Sequence, residues 1–276
     1  MKTYLINLDR SLDRLEFFQG QAKNAGISFE RTPAIDGRSL PDSTWKSIVD
    51  KRFEFQPINV YEVAVFLSHK AIWERMIRDR VNMAAIFEDD AILARQTANT
   101  FRSIENAKIS FDVIKLETTL RSIVLAESSI SLASGESLHQ LRSWHGGAAG
   151  YVISLEGAEK LSKATNLIAD QIDQVIFNPL SKISSSLKLL QCTPAICVQK
   201  DLLHRGQPAT FASTIERKNT RGRLFRHGPF IDLRRLVKKL QQKLVAKRLA
   251  QQPENTRVVV QMAPLEHTDH SRSVAA

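Results

Sequence analysis

The stretch at residues 83–90, MAAIFEDD, constrains the fold more than any other part of the chain. Five apolar residues run directly into the carboxylates of Glu88, Asp89 and Asp90. A short apolar run that ends in charge predicts a buried strand, and open α/β folds bind ligands beyond the carboxyl ends of their strands. Three adjacent like charges repel one another unless a cation neutralises them. The stretch predicts either a ligand-binding strand end or a solvated acidic turn.

Predicted strands and helices alternate along most of the chain. They are strand 3–8, helix 12–25, strand 27–31, helices 41–51 and 60–80, strand 83–88, helix 97–108, strands 111–116 and 148–154, helices 155–164 and 170–180, and one or two strands within 187–198. Residues 118–143 show no clear period. This alternation predicts an α/β sandwich with a mostly parallel sheet.

The net charge of +10 is concentrated near the C-terminus. Residues 217–248 hold twelve Lys or Arg and one acid, so the rest of the chain is close to neutral. We predict a main domain over residues 1–207, a mobile basic segment over 208–230, an amphipathic basic helix over 231–252 and a frayed tail over 253–276.

The predicted C-terminal helix has three possible roles. An apolar stripe lies opposite lysines and arginines, which suits an anionic membrane surface. Packing on the main domain with a solvated basic face is the second possibility. Nucleic-acid binding is the third and the least favoured, because no nucleic-acid motif accompanies the charge and the main domain has no basic surplus.

The cysteine count and the lack of long apolar stretches indicate the cellular compartment in which we expect the protein. Cys192 and Cys197 are the only cysteines, too few for a disulfide framework or a structural zinc site. The N-terminus begins a strand almost at once and has no signal-peptide pattern. No apolar stretch reaches the roughly 18 residues that a membrane span needs. We therefore expect a cytoplasmic protein.

The acidic strand end predicts a divalent metal site. Mg²⁺ and Mn²⁺ prefer carboxylate oxygens and keep positions open for phosphate and water. Alternate residues of an extended chain share a face, so Glu88 and Asp90 should point together and Asp89 elsewhere. We expect Asp90, with or without Glu88, to meet a metal-bound diphosphate.

Polar and basic side chains follow the first strand. Asn7, Arg10 and Arg14 lie at the strand end and the start of the next helix, where an anion or a nucleotide can bind. The alternative is that Arg14 pairs with Asp13 or Glu16 on a solvated helix face.

Three further positions could take part in the chemistry. Asp170 is the better helix N-cap, which leaves Asp173 as the candidate base for an attacking hydroxyl. His69, on an apolar helix, is more often a hydrogen-bonded core residue than a catalytic one. The glycines in WHGGAAGY at residues 144–151 suit either close backbone approach to a ligand or a tight turn.

Five stretches in this order resemble glycosyltransferase family 25, the bacterial lipooligosaccharide and lipopolysaccharide glycosyltransferases. They are YLINLDRS at 4–11 continuing to Arg14, AIDG at 34–37, EVAVFLSH at 62–69 with IW at 72–73, IFEDD at 86–90, and GYVIS at 150–154 with GA at 157–158.

The resemblance implies a GT-A-like, Rossmann-type sandwich, a nucleotide-sugar donor such as UDP-galactose, inversion at the sugar carbon, and Mn²⁺ or Mg²⁺. It implies a glycolipid acceptor. Together with the basic C-terminal helix, this acceptor predicts a protein peripheral on the inner face of the cytoplasmic membrane. The residues that it assigns are the metal ligands Asp90 and Glu88, the donor-binding Asn7, Arg10, Arg14, Asp36, Glu88 and Asp89, and the catalytic Asp173.

The sequence departs from the family pattern at two places. Gln171 and Ile172 precede Asp173 where a proline is usual, and Val63-Ala64 replaces the usual Ile-Gly or Ile-Ala. Neither change removes a charged group.

The rival interpretation is a non-catalytic nucleotide-sugar-binding or nucleic-acid-interacting protein on the same fold. A collagen-type galactosyltransferase is a relative within the resemblance that should carry a secretory signal.

Overall fold

The computed structural model describes residues 1–50, 58–203 and 229–265. The strands are β1 (Lys2–Asn7), β2 (Glu30–Pro33), β3 (Met83–Glu88), β4 (Ala91–Leu93), β5 (Val113–Lys115), β6 (Glu117–Thr118), β7 (Ser122–Ser131), β8 (Ser137–Leu141), β9 (Gly150–Ser154), β10 (Leu189–Thr193), β11 (Cys197–Gln199) and β12 (Asn255–Val259). The helices are α1 (Leu12–Asn24), α2 (Asp42–Ser47), α3 (Val60–Arg78), α4 (Thr97–Asn106), α5 (Leu155–Ala164), α6 (Ile172–Phe177), α7 (Lys200–Leu203) and α8 (Pro229–Leu249).

The described strands form a large mixed sheet and a small one. The large sheet has the order β12-β7-β8-β10-β5-β9-β3-β1-β2, and the small sheet has the order β4-β11-β6. Strands β2, β1 and β3 run parallel, so their carboxyl ends meet at one edge. The acidic end of β3 therefore lies beside the end of β1.

The expectation of a mostly parallel sheet needs correction. Among the described residues, three pairings in the large sheet are parallel and five are antiparallel. Strand β9 runs antiparallel between β3 and β5. The uninterpreted residues 118–143 supply β7 and β8, which pair antiparallel through a register shift. That irregularity is a physical reason for the missing period, because a bulge interrupts strict alternation.

Alternation along the buried strands divides the core into two layers. Tyr4 and Ile86 pack in one hydrophobic cluster with Trp73 of α3. Their neighbours Leu5 and Phe87 pack in the other, on the opposite face of the sheet. Burying one such large side chain stabilises the fold by about 1.5–3 kcal/mol.

Helix α3 begins at a capping box. The Asn59 side chain accepts from the backbone N–H of Glu62 at 3.1 Å, and Glu62 Oε2 accepts from the N–H of Asn59 at 2.8 Å. A cap of this kind contributes about 1 kcal/mol. It fixes the start of the helix that carries Ser68 and His69 toward the end of β3.

The C-terminal part differs from the predicted frayed tail. Helix α8 ends at Leu249, and β12 then pairs antiparallel with β7 at the edge of the large sheet. Val260 and Ala263 are buried after it. The predicted mobile segment at 208–228 and the predicted fraying of 266–276 lie outside the described residues.

The structure also shows the state of the two cysteines and the character of the described helices. Cys192 and Cys197 are both buried free thiols. In the described part of the chain, the helices are too short or too polar to cross a bilayer.

Candidate active site

One cavity of about 590 Å³ lies at the carboxyl ends of β1 and β3. Every side chain that the sequence singled out for metal binding, donor binding or catalysis lines it. These are Asn7, Arg10, Arg14, Asp36, Glu88, Asp89, Asp90 and Asp173. Segments more than 160 residues apart in the chain therefore converge on one site, where open α/β sheets bind ligands.

The acidic triplet does not alternate as predicted. Strand β3 ends at Glu88, and Asp89 and Asp90 occupy the following turn. Asp89 Oδ1 lies 2.9 Å from Arg14 Nε, and Asp90 Oδ2 lies 3.2 Å from Arg14 Nη2. Because the chain turns after Glu88 instead of staying extended through Asp90, both aspartates face the same guanidinium. The alternative pairing of Arg14 with Asp13 or Glu16 is not the one that forms.

Asn7 ties the ends of the parallel strands together. Its Nδ2 donates to Asp89 Oδ2 at 2.7 Å and to the backbone oxygen of Ser11 at 3.0 Å. Its Oδ1 accepts from Arg31 Nε at 2.9 Å. Asn7 is almost fully buried. Asn7 and Asp89 thus connect the ends of β1 and β3 at the base of the cavity. Most of their hydrogen-bonding groups already have partners within the protein.

Arg10 and Asp36 form an ion pair on the outer wall of the cavity. Asp36 Oδ1 also accepts the backbone N–H of Arg38 at 3.0 Å, which fixes the turn after β2. A Cβ at Gly37 would lie 2.8 Å from the ring of Tyr61. The glycine therefore lets this turn pack against α3 and brings Asp36 to the cavity.

Asp90 has an unusual electrostatic environment. Burial raises its pKa to about 8, and the negative charges of Glu88, Asp89 and Glu117 add to the rise while Arg14 opposes it. Its Oδ1 is buried and has no hydrogen-bond partner among the described residues. A buried oxygen with spare acceptor capacity, among several carboxylates, is a position that a cation would stabilise.

Glu88 is held by a chain of buried hydrogen bonds. Trp73 Nε1 donates to the hydroxyl of Tyr151 at 3.0 Å, and that oxygen lies 2.9 Å from His69 Nδ1. His69 Nε2 lies 3.3 Å from Glu88 Oε1. His69 is therefore the hydrogen-bonded core residue that its apolar helix suggested, but its second nitrogen faces the cavity.

The environment of Glu88 favours its ionised form. Burial alone would raise its pKa, but the hydrogen bond with His69 and the charges of His69, Arg14 and Lys115 outweigh burial and lower it. The cavity therefore holds one carboxylate that stays charged and, beside it, Asp90, which gains a proton easily.

Lys115 and Glu117 are buried charges that the sequence analysis missed. Lys115 Nζ donates to Glu117 Oε2 at 3.1 Å and to the backbone oxygen of Gly147 at 2.5 Å. Both side chains are fully buried, and burial raises the pKa of Glu117. The available signal was a Lys and a Glu two residues apart within an otherwise apolar strand segment, since buried charges require partners.

Gly147 occupies a position that other residues would strain. Its φ is +82°, and a Cβ there would overlap the carboxylate of Glu117. Its backbone N–H donates to Asp173 Oδ2 at 3.2 Å. The glycine pattern at 144–151 thus permits a close approach to two carboxylates of the protein itself.

Asp173 lies in the first turn of α6. The N-cap of that helix is Gln171, so Asp170 is not its cap as predicted. Burial raises the pKa of Asp173, while the hydrogen bond from Gly147 and the charge of Lys115 oppose the rise. A carboxylate with a raised pKa in a cavity is suited to accept a proton.

His145 is a neutral support of the cavity wall. Burial and the charge of Lys115 lower its pKa to about 3. Its Nε2 accepts the backbone N–H of Thr119 at 3.1 Å, so its proton must sit on Nδ1, 2.7 Å from Gln191 Oε1. The ring therefore orders the wall rather than carrying charge.

The carboxylates of the cavity do not form a preformed metal cage. Within the described ranges, three or more His, Cys, Asp or Glu side chains do not gather in metal-binding geometry. Asp90 and Glu88 could hold Mn²⁺ or Mg²⁺ only if phosphate oxygens and water supplied the remaining ligands, an arrangement usual for Mg²⁺. The donor set fits such an ion.

Fold and site together define an α/β protein with a polar cleft lined by acidic and basic side chains. Residues 1–176 match Glycosyltransferase family 25 (LPS biosynthesis protein), and the chain belongs to this family.

Three relatives illustrate the similarity. The chain is 32% identical over 150 residues to the lipooligosaccharide biosynthesis protein lex-1 of Haemophilus influenzae, covering 50% of this chain and 49% of that protein. It is 28% identical to the lipooligosaccharide biosynthesis protein lic2B of Haemophilus influenzae, covering 73% and 77%. It is 25% identical to procollagen galactosyltransferase 1-A of Xenopus laevis, covering 67% and 32%. The chain thus spans about half of the first relative and a third of the last.

A solved glycosyltransferase involved in the glycosylation of the major capsid of PBCV-1 is a weaker match. The TM-score is 0.40 at 7% identity, covering 72% of this chain and 92% of that one. Likeness at this level supports no argument about function.

Proposed function

We propose that this protein is an inverting glycosyltransferase that transfers a hexose, galactose, from a UDP-linked donor to an acceptor sugar of lipooligosaccharide or lipopolysaccharide. Family membership supports the transferase class. The names of two relatives support the acceptor class, and that of the procollagen enzyme supports galactose.

The observation that carries the proposal is the convergence of cationic and acidic side chains on one cavity. Arg10 comes from the β1–α1 connection, Arg14 from the first turn of α1, the acidic triplet from the end of β3 and the turn after it, and Asp173 from α6. A cavity of about 590 Å³ falls in the size range of small-molecule sites, about 300–1,000 Å³. A transferase of this type needs charge stabilisation for a departing diphosphate and one base for the acceptor.

On the donor side, we assign the diphosphate to the region of Arg10, Arg14 and Asp90. Arg14 already spans Asp89 and Asp90, so a bound ligand would compete for or share its guanidinium. A bound Mn²⁺ or Mg²⁺ would supply positive charge to the departing diphosphate. Glu88 and Asp90 are the residues that would hold it, and Asp90 would use its Oδ1, which has no hydrogen-bond partner among the described residues.

On the acceptor side, we assign Asp173 as the general base. It takes the proton from the acceptor hydroxyl as that oxygen attacks the anomeric carbon. The bond from that carbon to the phosphate oxygen breaks, and UDP leaves with the bonding electron pair. Attack from the face opposite the leaving group inverts the configuration. The Gly147 N–H orients the Asp173 carboxylate for this step.

A donor screen tests the proposal. Purified protein is incubated with UDP-galactose, UDP-glucose and UDP-N-acetylglucosamine, with and without manganese, and with truncated lipooligosaccharide as acceptor. We expect galactose transfer in the presence of manganese, and an NMR spectrum of the product should show an inverted anomeric centre. Donor binding without transfer or hydrolysis under any condition would favour a non-catalytic nucleotide-sugar-binding protein.

A further inference from the structure

Among the described side chains of helix α8, most of the large apolar ones turn away from the rest of the protein. Leu233, Leu236, Val237, Leu240 and Leu244 are between 43% and 65% exposed. At about 100° of rotation per residue, these positions fall within one stripe about 100° wide. We call these five residues the apolar stripe.

The opposite face of α8 contacts the protein. Gln242, Val245 and Leu249 are half-buried, and they lie roughly 120–180° around the helix from the apolar stripe. Gln242 Nε2 is 3.3 Å from Gln174 Oε1, and Asn255 Nδ2 donates to the backbone oxygen of Leu249 at 3.0 Å. A helix that only covered the domain would place its apolar side inward. In α8, five of the described large apolar side chains face outward, and only Val245 and Leu249 are on the inward face.

Basic side chains flank the apolar stripe. Lys239 and Lys243 are exposed on one side, and Lys247 and Arg248 are exposed at its C-terminal end. Residues 233–249 contain no Asp or Glu. An exposed apolar stripe bordered by cations is the pattern of a helix that lies in the plane of a membrane interface.

We propose that the apolar stripe of α8 inserts into the surface of an anionic lipid bilayer, with the flanking cations at the headgroups. Charge complementarity favours this occupant. A second copy of the chain would bring two rows of like charge together. A nucleic acid would neutralise the cations but would leave the five apolar side chains in water.

The contact of α8 with α6 connects this surface to the cleft. Gln174, the partner of Gln242, follows Asp173 directly in the chain. Docking through the apolar stripe would therefore hold the cleft near the membrane, where a glycolipid acceptor resides. Membrane binding through α8 does not require the proposed transferase activity. It can be tested without donor or acceptor.

Vesicle flotation tests the proposal with the full chain. Vesicles of phosphatidylcholine alone are compared with vesicles of equal parts phosphatidylcholine and phosphatidylglycerol. We expect flotation only with the anionic vesicles, and at least about a tenfold loss of apparent affinity in Leu236→Gln/Leu240→Gln/Leu244→Gln. A matched control, Leu167→Gln/Leu180→Gln, changes two exposed leucines elsewhere and should float like the wild type.

A charge variant and a folding control accompany the flotation assay. Lys239→Gln/Lys243→Gln should weaken binding to anionic vesicles, and circular dichroism should show that every variant is folded. Unchanged flotation of the triple-leucine variant would overturn the proposal. So would light scattering that shows a dimer lost in that variant, or tight binding of an oligonucleotide that displaces the protein from vesicles.

Discussion

The backbone N–H of Gly147 donates to Asp173 Oδ2 at 3.2 Å, while the carbonyl oxygen of the same glycine accepts from Lys115 Nζ. One peptide segment thus connects the candidate base to the buried Lys115–Glu117 pair. The hydrogen bond from Gly147 orients the carboxylate of Asp173, and α6 holds its backbone.

Removal of the Asp173 carboxylate should separate catalysis from binding. We expect Asp173→Asn to lower kcat by about 10²–10⁴-fold, the usual contribution of a general base. Binding of UDP-galactose, measured by calorimetry, should stay within about threefold of the wild type. The control Asp13→Asn changes an exposed aspartate of α1 and should leave both quantities unchanged. Weak donor binding in Asp173→Asn would instead make Asp173 a donor ligand.

The same variant should change the pH dependence of stability. Burial raises the pKa of Asp173 in the folded protein above its ordinary value. As pH rises, the unfolded chain loses this proton at a lower pH than the folded protein does. The wild type therefore loses stability as pH rises from the ordinary pKa of aspartate to the raised pKa of the folded state. The asparagine of Asp173→Asn does not titrate. The free energy of unfolding of this variant should therefore rise relative to that of the wild type as pH increases through that window. Urea titrations at several pH values check this; a constant difference contradicts it.

Gly147 should not tolerate a side chain. Its positive φ and the overlap of an added Cβ with the Glu117 carboxylate predict that Gly147→Ala destabilises the protein by about 1–3 kcal/mol. Gly20 of α1 has open space around it, so Gly20→Ala should stabilise by about 0.5–1 kcal/mol. Equal effects in thermal or urea unfolding would show that the Gly147 conformation is not required.

The Tyr151 hydroxyl should contribute to stability and the Tyr4 hydroxyl should not. Tyr151→Phe leaves Trp73 Nε1 and His69 Nδ1 without their shared partner, which should cost about 1–3 kcal/mol. The hydroxyl of Tyr4 is buried without a hydrogen-bond partner in the described residues, so Tyr4→Phe should be neutral or stabilising. Urea denaturation of the two variants provides the comparison, and a larger loss in Tyr4→Phe would refute the assigned hydrogen-bond chain.

Local sequence patterns predicted the part of the site that depends on neighbouring residues. The apolar run into Glu88, Asp89 and Asp90 predicts a strand end from composition alone. The predicted strand 3–8 and helix 12–25 place Asn7 and Arg14 at a strand end and at the start of the next helix. Those predictions needed only short-range periodicity.

Contacts between distant segments explain what could not be predicted. Tyr151 meets His69 from 82 residues away in the chain, and Gly147 meets Asp173 only through tertiary folding. Asp170 looked like a helix cap because aspartate favours that position, but the helix begins later, at Ile172. The tail after Pro253 was expected to fray because local pattern does not reveal pairing with β7, more than 120 residues earlier.

The central claim is that Asp90 helps to bind a metal and diphosphate in this cavity. Calorimetric titration of UDP, with and without manganese, into the wild type and Asp90→Asn tests it most directly. We predict that manganese tightens UDP binding to the wild type by at least about tenfold, and that Asp90→Asn loses this enhancement while remaining folded. Equal enhancement by manganese in Asp90→Asn would contradict the claim.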